Sequence, residues 1–246
     1  MSISGTDQDL LLCVAANELV LAQQAAGLLQ ITDQDATQRL EQLCAERLLT
    51  RVTLSGRLPP AYRITRTGAQ QVDPHLPPLR ALDMGRYRHE IGVAWLWGSA
   101  RVGGLGNLRQ GLSRREMQAA DKTLRSESLI DTPGATFGDQ PDPGSQPDPR
   151  HAYPDIALVQ ATGGWVSLDL VLTLPAPERL SAMVSRLHRH PGILAELYLV
   201  ESTAGISEAV KAAAEQHAIA GRVHIQVLAE DGIAGVSITT PGIKQG

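Results

Sequence analysis

Aromatic residues, cysteines and long apolar runs are all scarce in this chain of 246 residues. Phe, Trp and Tyr make up 3% of the sequence, which argues against a platform of rings that stacks single-stranded bases. Two cysteines, Cys13 and Cys44, are too few for a disulfide framework. Neither has His or Cys neighbours at the spacing of a zinc site, so we expect both to be small core residues.

Membrane and secretion features are missing as well. No stretch approaches the roughly 18 apolar residues of a membrane-spanning helix. The first residues, MSISGTDQDLLLCVAANE, place acids beside the apolar stretch and lack the basic segment of a secretory signal. We therefore expect a cytoplasmic protein with no membrane partner.

The charge balance is slightly acidic but uneven. The chain has 22 basic and 26 acidic residues, a formal net charge of −4. Residues 51–125 nevertheless hold 13 of the 22 basic side chains. A polyanionic partner would be expected to contact this middle stretch.

The N-terminal residues predict three helices, two short β segments around GRLPP and the start of another helix. Thr32 is a suitable N-cap for the third helix, whose apolar stripe comprises Ala36, Leu40, Leu43, Cys44 and Leu48. This order of elements is typical of a winged helix-turn-helix domain, which we assign to residues 1–72. The proline-rich sequence that follows predicts a hinge at 73–85.

A DNA-binding domain of that kind inserts the start of its third helix into the major groove. Candidate contacts on the helix and the wing are Gln34, Thr37, Gln38, Arg39, Arg51, Arg57, Arg63 and Arg66. Asp33 and Asp35 at the same helix start would be repelled by phosphate. The sequence therefore favours double-stranded DNA as partner and leaves open a protein-interaction or dimerisation role.

Residues 86–246 predict a second, αβ domain. A helix and a polar helical segment lead to residues 131–150, whose prolines, glycines and acids predict a mobile loop. Alternating apolar residues then indicate strands at 153–160 and 164–174, a helix at 177–189, and strand, helix and strand at 194–201, 206–218 and 222–228. The expected fold class is α+β, with a mixed sheet flanked by helices.

Two acids on the predicted hairpin are candidates for metal chemistry. Asp155 begins the first strand and Asp169 lies within the second, so their oxygens could bind one divalent cation. Glu116 is the candidate third acid of a catalytic set that activates water. Many metal-dependent nucleases carry a lysine two residues after the second acid, where this chain has Val171. The alternatives are that Asp155 caps backbone amides and that Asp169 faces solvent.

Several motifs resemble the replication-relaxation family of plasmids and integrative elements. They are YRITRTGAQQV, RHEIGVAW, SRREMQAAD, YPDIAL, WVSLDLVLT and PERLSAMVSRL, which together cover most of the chain. The resemblance implies a winged helix joined to a restriction-endonuclease-like domain that acts in mobile-element replication or transfer. It places the acidic positions of the nuclease pattern at Glu116, Asp155 and Asp169, while Val171 departs from that pattern and implies a degenerate site.

The sequence thus predicts a DNA-binding protein of a mobile element, acting in replication, transfer or its regulation, with an inactive nuclease-like domain. Its partners would be double-stranded DNA and replication or transfer proteins, and a homodimer is consistent with paired half-sites. Two alternatives stay open. One is an active endonuclease that uses Mg²⁺ or Mn²⁺, a cofactor that the inactive protein would not need. The other is a protein-interaction adaptor.

Overall fold

The computed structural model describes residues 4–53, 59–79, 81–103, 110–126, 137–138, 153–160, 164–190, 192–202 and 205–228. The chain divides into two compact units, Met1–Val102 and Gly103–Gly246. Arg57 lies outside the described residues, as does the expected mobile loop at 131–150 apart from residues 137–138. The expected hinge at 73–85 falls within the first unit, where it includes the beginning of a short 3₁₀ turn, Met84–Arg86.

The first unit contains five α-helices and three strands within its described residues. In chain order they are α1 Gly5–Ala16, β1 Val20–Leu21, α2 Ala22–Leu29, α3 Asp33–Ala45, β2 Leu49–Val52, β3 Ala61–Ile64, α4 Arg66–Val72 and α5 Tyr87–Arg101. β3 lies between β1 and β2 and is antiparallel to both.

Side-chain caps fix where several of these helices begin. The Oγ1 of Thr32 accepts a hydrogen bond from the amide of Asp35 at 3.1 Å, which confirms the predicted N-cap of α3. Ser4 and Thr65 cap α1 and α4 in the same way. Four members of the predicted stripe, all except Cys44, are buried: Ala36, Leu40, Leu43 and Leu48.

Gly68 allows α4 to lie directly against the chain that enters β2. A Cβ atom at this position would be 2.2 Å from the carbonyl oxygen of Leu48. Thr65, which caps α4, also donates its hydroxyl hydrogen to backbone carbonyls in this region, those of Arg47 and Leu48 at 2.8 and 2.9 Å. The close approach therefore requires glycine in a helix where alanine would otherwise be preferred.

The second unit is built around a five-stranded sheet. Its elements are β4 Gln110–Ser113, α6 Arg114–Ser126, β5 Ile156–Val159, β6 Trp165–Val171, α7 Pro177–Val184, α8 Arg186–Arg189, β7 Ile193–Val200, α9 Ile206–Gln216 and β8 Val223–Val227. The strand order is β4-β5-β6-β7-β8. β4, β5 and β6 pair antiparallel, whereas β6, β7 and β8 pair parallel, so the sheet is mixed as predicted.

Three local expectations need correction. The predicted helix at 177–189 is interrupted at Ser185, which separates α7 from α8. β4 was not predicted, because Leu112 is the single large apolar residue in a four-residue strand and its pairing with β5 comes from distant sequence. The alternative in which Asp169 faces solvent is wrong, since every residue of β6 is buried.

One apolar cluster covers the face of the sheet that carries Asp169. It joins residues of the central strands, including Trp165 and Val171 of β6 and Tyr198 of β7, to side chains of the following helices, including Val184 and Val210. A parallel pair with helices against it buries both strand faces, which explains why Asp169 is enclosed. No helix among the described residues has both the length and the apolar character needed to cross a membrane.

Candidate functional site

The two hairpin acids lie side by side near the start of β5. The pairing of β5 with β6 sets Ile156 opposite Leu168, which brings Asp155 next to Asp169. The backbone amide of Asp155 donates to Oδ1 of Asp169 at 3.3 Å, and the amide of Leu170 donates to Oδ2 of Asp155 at 3.0 Å. Both carboxyl groups therefore help to fix the register of the hairpin.

An arginine engages each of these acids. Nη2 of Arg114, the first residue of α6, donates to Oδ1 of Asp155. Nη1 of Arg186, the first residue of α8, donates to Oδ2 of Asp169 at 3.0 Å. Arg186 is 1% exposed, and Asp155 and Asp169 are 3% and 5% exposed. Arg114 is less buried, with 21% of its side chain exposed, and it completes the group that we call the charge cluster: Arg114, Asp155, Asp169 and Arg186.

Burial and mutual attraction oppose each other in the charge cluster. Burial raises the pKa of Asp169, and the positive charge of Arg186 counteracts that rise. Burial by itself would lower the pKa of Arg186, but the negative charge of Asp169 and its hydrogen bond raise it above its usual range. Arg186 therefore stays protonated and holds a permanent positive charge beside Asp169.

Glu116, the third candidate acid, forms the N-terminal cap of α6. Its Oε2 accepts from the amide of Ser113 at 2.8 Å, while Oγ of Ser113 accepts from the amide of Glu116 at 3.2 Å. This reciprocal arrangement is a capping box. Among the described residues, no three His, Cys, Asp or Glu side chains are grouped so that they could hold a metal ion.

Arg114 and Arg186 were not predicted as partners of the acids. The sequence position of each arginine could have indicated this role. Arg114 lies two residues before the candidate Glu116. Arg186 follows the buried Met183 by three residues in a helical segment, a spacing that places a charged residue on the apolar side of the segment. Val171, at the position expected for lysine, is buried in the apolar cluster.

The candidate DNA-contacting arginines of the first unit have acidic neighbours. The shortest nitrogen-to-oxygen distances are 3.1 Å for Arg39 with Asp7, 3.4 Å for Arg51 with Glu41 and 3.5 Å for Arg63 with Glu18. Arg66 is exposed. Arg51 is the pairing partner of Tyr62 and Arg63 that of Thr50, so Arg51 and Arg63 leave the β2–β3 ladder on opposite faces.

The remaining candidates are on α3. Gln34 and Gln38 are exposed, and the hydroxyl of Thr37 donates to the carbonyl oxygen of Asp33 at 2.7 Å. Asp33 and Asp35 are exposed in the first turn of the same helix. The surface at the start of α3 is therefore polar and acidic, and the basic side chains lie further along the chain.

No protein-family model and no curated protein sequence matches this chain. Among solved structures, matches with TM-scores of 0.20 include an O-methyltransferase family 2 protein from Planctomyces limnophilus in complex with apigenin, at 13% identity over 90% of this chain and 58% of that one. PigF with SAH matches at 11% identity over 91% and 62%, with the same TM-score. An O-methyltransferase family protein from Burkholderia thailandensis matches at 14% over 90% and 60%, also at 0.20.

The expected fold class is corrected by these matches. None of the three is named as a winged-helix protein or a restriction endonuclease, so the prediction of that pair of domains is wrong. The order of helices and strands that the sequence indicates is compatible with more than one fold family, and it supports only the coarser class. That class is α+β with a mixed sheet. The chain spans less than two thirds of each matched structure, and TM-scores of 0.20 support no methyltransferase activity for it.

Proposed function

We propose that this protein is a non-catalytic, DNA-associated protein that acts in the replication or transfer of a mobile element, or in its regulation. The observation that carries the proposal is the pairing of Asp155 with Arg114 and of Asp169 with Arg186. This pairing argues against cleavage at these acids, and the exposed arginines of the first unit support binding to DNA. The resemblance of the sequence motifs to the replication-relaxation family supplies the biological context of the proposal.

The charge cluster opposes metal-assisted cleavage. Catalytic Mg²⁺ or Mn²⁺ is held by carboxylate oxygens and needs open positions for water and phosphate. Here the oxygens that would bind the ion accept hydrogen bonds from guanidinium and amide groups. A cation would have to displace Arg186, which would leave this buried guanidinium without its carboxylate partner, and an uncompensated buried charge is costly.

Exposed arginines of the first unit support DNA as the partner. The side chains of Arg39 and Arg51 are 41% and 50% exposed, despite their acidic neighbours. Exposed ion pairs of this kind contribute about 0 to 1 kcal/mol, so a phosphate can replace the carboxylate at little cost. Arg66 is exposed as well and adds a third basic side chain.

The test is the affinity for a labelled DNA duplex, measured by fluorescence anisotropy over a series of salt concentrations. Replacing both Arg51 and Arg66 by alanine should weaken binding and reduce the slope of log K against log salt by about 2, close to one unit per phosphate contact. Arg179→Ala is the matched control, because Arg179 is an exposed arginine of the second unit. Equal affinity and slope for the double variant and the control would contradict the proposal.

A protein-interaction adaptor is the second candidate, favoured by the exposed Asp33 and Asp35 at the start of α3. The variant Asp33→Asn separates the two functions. If the start of α3 approaches DNA, removing this charge should strengthen DNA binding because it relieves repulsion of phosphate. For an adaptor that uses this acidic surface, DNA binding is absent at low salt and Asp33→Asn does not restore it.

A further inference from the structure

A third acid lies on the same face of the sheet as Asp155 and Asp169. Glu196 of β7 is the pairing partner of Ser167, two residues before Asp169, and Tyr198 is the pairing partner of Asp169. Side chains of paired residues project to the same side of a sheet, so three neighbouring strands bring acids to one face. Glu196 is 0% exposed.

The carboxyl group of Glu196 is only half satisfied by hydrogen bonds. Its Oε2 accepts from the hydroxyl of Tyr198 at 2.6 Å. Its Oε1 meets no hydrogen-bond partner among the described residues, and the same holds for Oγ of Ser167. An ionised carboxylate in such surroundings is strongly disfavoured, because burial removes its hydration without replacing it.

The positive charges nearby are already engaged by other acids. Arg186 donates to Asp169, and Arg114 donates to Asp155. The charge cluster is balanced by these two pairs, so an ionised Glu196 would add a buried negative charge to a balanced set. Taking up a proton from solvent removes that charge.

We propose that Glu196 is a proton-binding site of the folded protein, occupied at neutral pH, and that loss of its proton makes it compete with Asp169 for Arg186. The reaction is simple protonation of the carboxylate, with solvent as the source of the proton. The site belongs to the core of the second unit and does not depend on the proposed DNA function.

The electrostatics of the site agree with its geometry. Burial raises the pKa of Glu196 from its ordinary value of 4.5 to about 8, against the opposing effects of Arg186 and of the Tyr198 hydrogen bond. Asp169 raises it further, and Arg189 lowers it with the smallest of these effects. Burial and the neighbouring acids raise the pKa of Tyr198 as well, so its hydroxyl keeps its proton in this range.

The charged groups that face Glu196 come from few elements. The charged groups are Asp169 of β6 and Arg186 and Arg189 of α8, with Asp155 and Arg114 beyond Asp169, and the neutral Tyr198 of β7 is also titratable. On β8 the residues of this face are the apolar Val223 and Ile225. From α7 and α9 the side chains in the cluster are apolar, and Glu178, Arg179, Glu208, Lys211 and Glu215 lie outside it.

The sign of the pH effect follows from the two protonation states. Between about pH 4.5 and about pH 8 the folded protein holds a proton at Glu196 that the unfolded chain has lost. The stability contributed by this group is therefore full below the lower value, declines as the pH rises through this interval, and levels off above it. Within the interval, the folding equilibrium constant should fall by up to about tenfold per pH unit from this group.

Infrared spectroscopy tests the proposal directly, because a protonated carboxylic acid has a carbonyl band that a carboxylate lacks. The full-length protein near pH 7 should show this band, Glu196→Gln should lose it, and Glu208→Gln, a control on α9, should retain it. Glu196→Gln should also flatten the fall of stability with pH, measured by urea unfolding. A wild-type spectrum near pH 7 with no band that depends on Glu196, or an unchanged pH slope in the variant, would overturn the proposal.

Tyr198→Phe supplies a second test should Glu196→Gln fail to fold. The Tyr198 hydrogen bond lowers the pKa of Glu196, so its loss should move the midpoint at which the carbonyl band disappears to higher pH. A midpoint that stays in place or moves to lower pH in this variant would contradict the assignment of the band to Glu196.

Discussion

At the residue scale, Arg186 determines what Asp169 can do, because it pairs with that carboxylate. Its guanidinium is buried, donates to Asp169, and cannot lose its proton at any pH at which the protein is folded. Replacing a buried ion pair with apolar residues is often neutral, whereas removing one partner leaves an uncompensated charge. The pair therefore adds little net stability, but each partner is needed as long as the other is present.

A double-mutant cycle measures this requirement. Arg186→Met should lower the free energy of unfolding by about 3 to 5 kcal/mol, because it leaves Asp169 buried without its cation. Arg186→Met combined with Asp169→Asn should recover most of that loss. Urea unfolding provides the measurement, and Arg179→Met on the exposed side of α7 should change stability by less than about 0.5 kcal/mol.

A small effect of Arg186→Met, similar to that of the Arg179 control, would show that Asp169 does not need the guanidinium. A double variant that is no more stable than Arg186→Met would show the same, because removing the charge of Asp169 would then bring no recovery of stability.

At the scale of secondary-structure elements, the candidate catalytic acid Glu116 caps the N-terminus of α6. Its carboxylate satisfies the amide of Ser113 at the start of α6, directly after the edge strand β4. A capping box accepts glutamate or glutamine at this position, since either supplies an oxygen acceptor.

The substitutions Glu116→Gln and Glu116→Ala separate the capping role from a catalytic one. Alanine should cost about 1 kcal/mol of stability through loss of the cap, and glutamine should cost much less. Chemical unfolding of the two variants beside the wild type gives the comparison. Equal losses for glutamine and alanine would mean that the negative charge of Glu116, not its acceptor oxygen, is what the structure uses.

The elements that could be predicted from sequence are those whose cause is local. The start of α3 follows from the Thr32 cap, and the burial of its stripe follows from helical spacing. The hairpin of β5 and β6 follows from the alternation of apolar residues, which also brings Asp155 and Asp169 together. β4 escaped prediction because its strand conformation depends on pairing with residues more than forty positions later, Ile156 to Val159.

The site was predictable only in part for the same reason. Sequence alternation places Asp169 and Val171 on one face of β6, but it does not reveal that helices cover that face. The arginine partners of the two acids are supplied by α6 and α8, whose packing against the sheet is a tertiary property. Glu196 was overlooked because an acid inside an apolar strand is commonly taken for an exposed residue, whereas β7 is buried along nearly its whole length.

At the scale of the whole molecule, the proposed function assigns separate roles to the two units. The first unit presents the exposed arginines that are proposed to contact DNA. The second encloses acids that are matched by its own arginines, together with a buried glutamic acid. Metal-assisted cleavage would require the second unit to open this arrangement, which makes metal binding the property that separates a DNA-binding protein from a nuclease.

Isothermal titration of the intact protein with Mn²⁺ tests this central claim most directly, with Asp155→Ala titrated beside it. We expect no specific binding heat for the wild type, because Arg114 and Arg186 already engage the carboxylates that would hold the ion. Saturable Mn²⁺ binding by the wild type that Asp155→Ala abolishes would contradict the claim and would establish a working metal site on this face of the sheet.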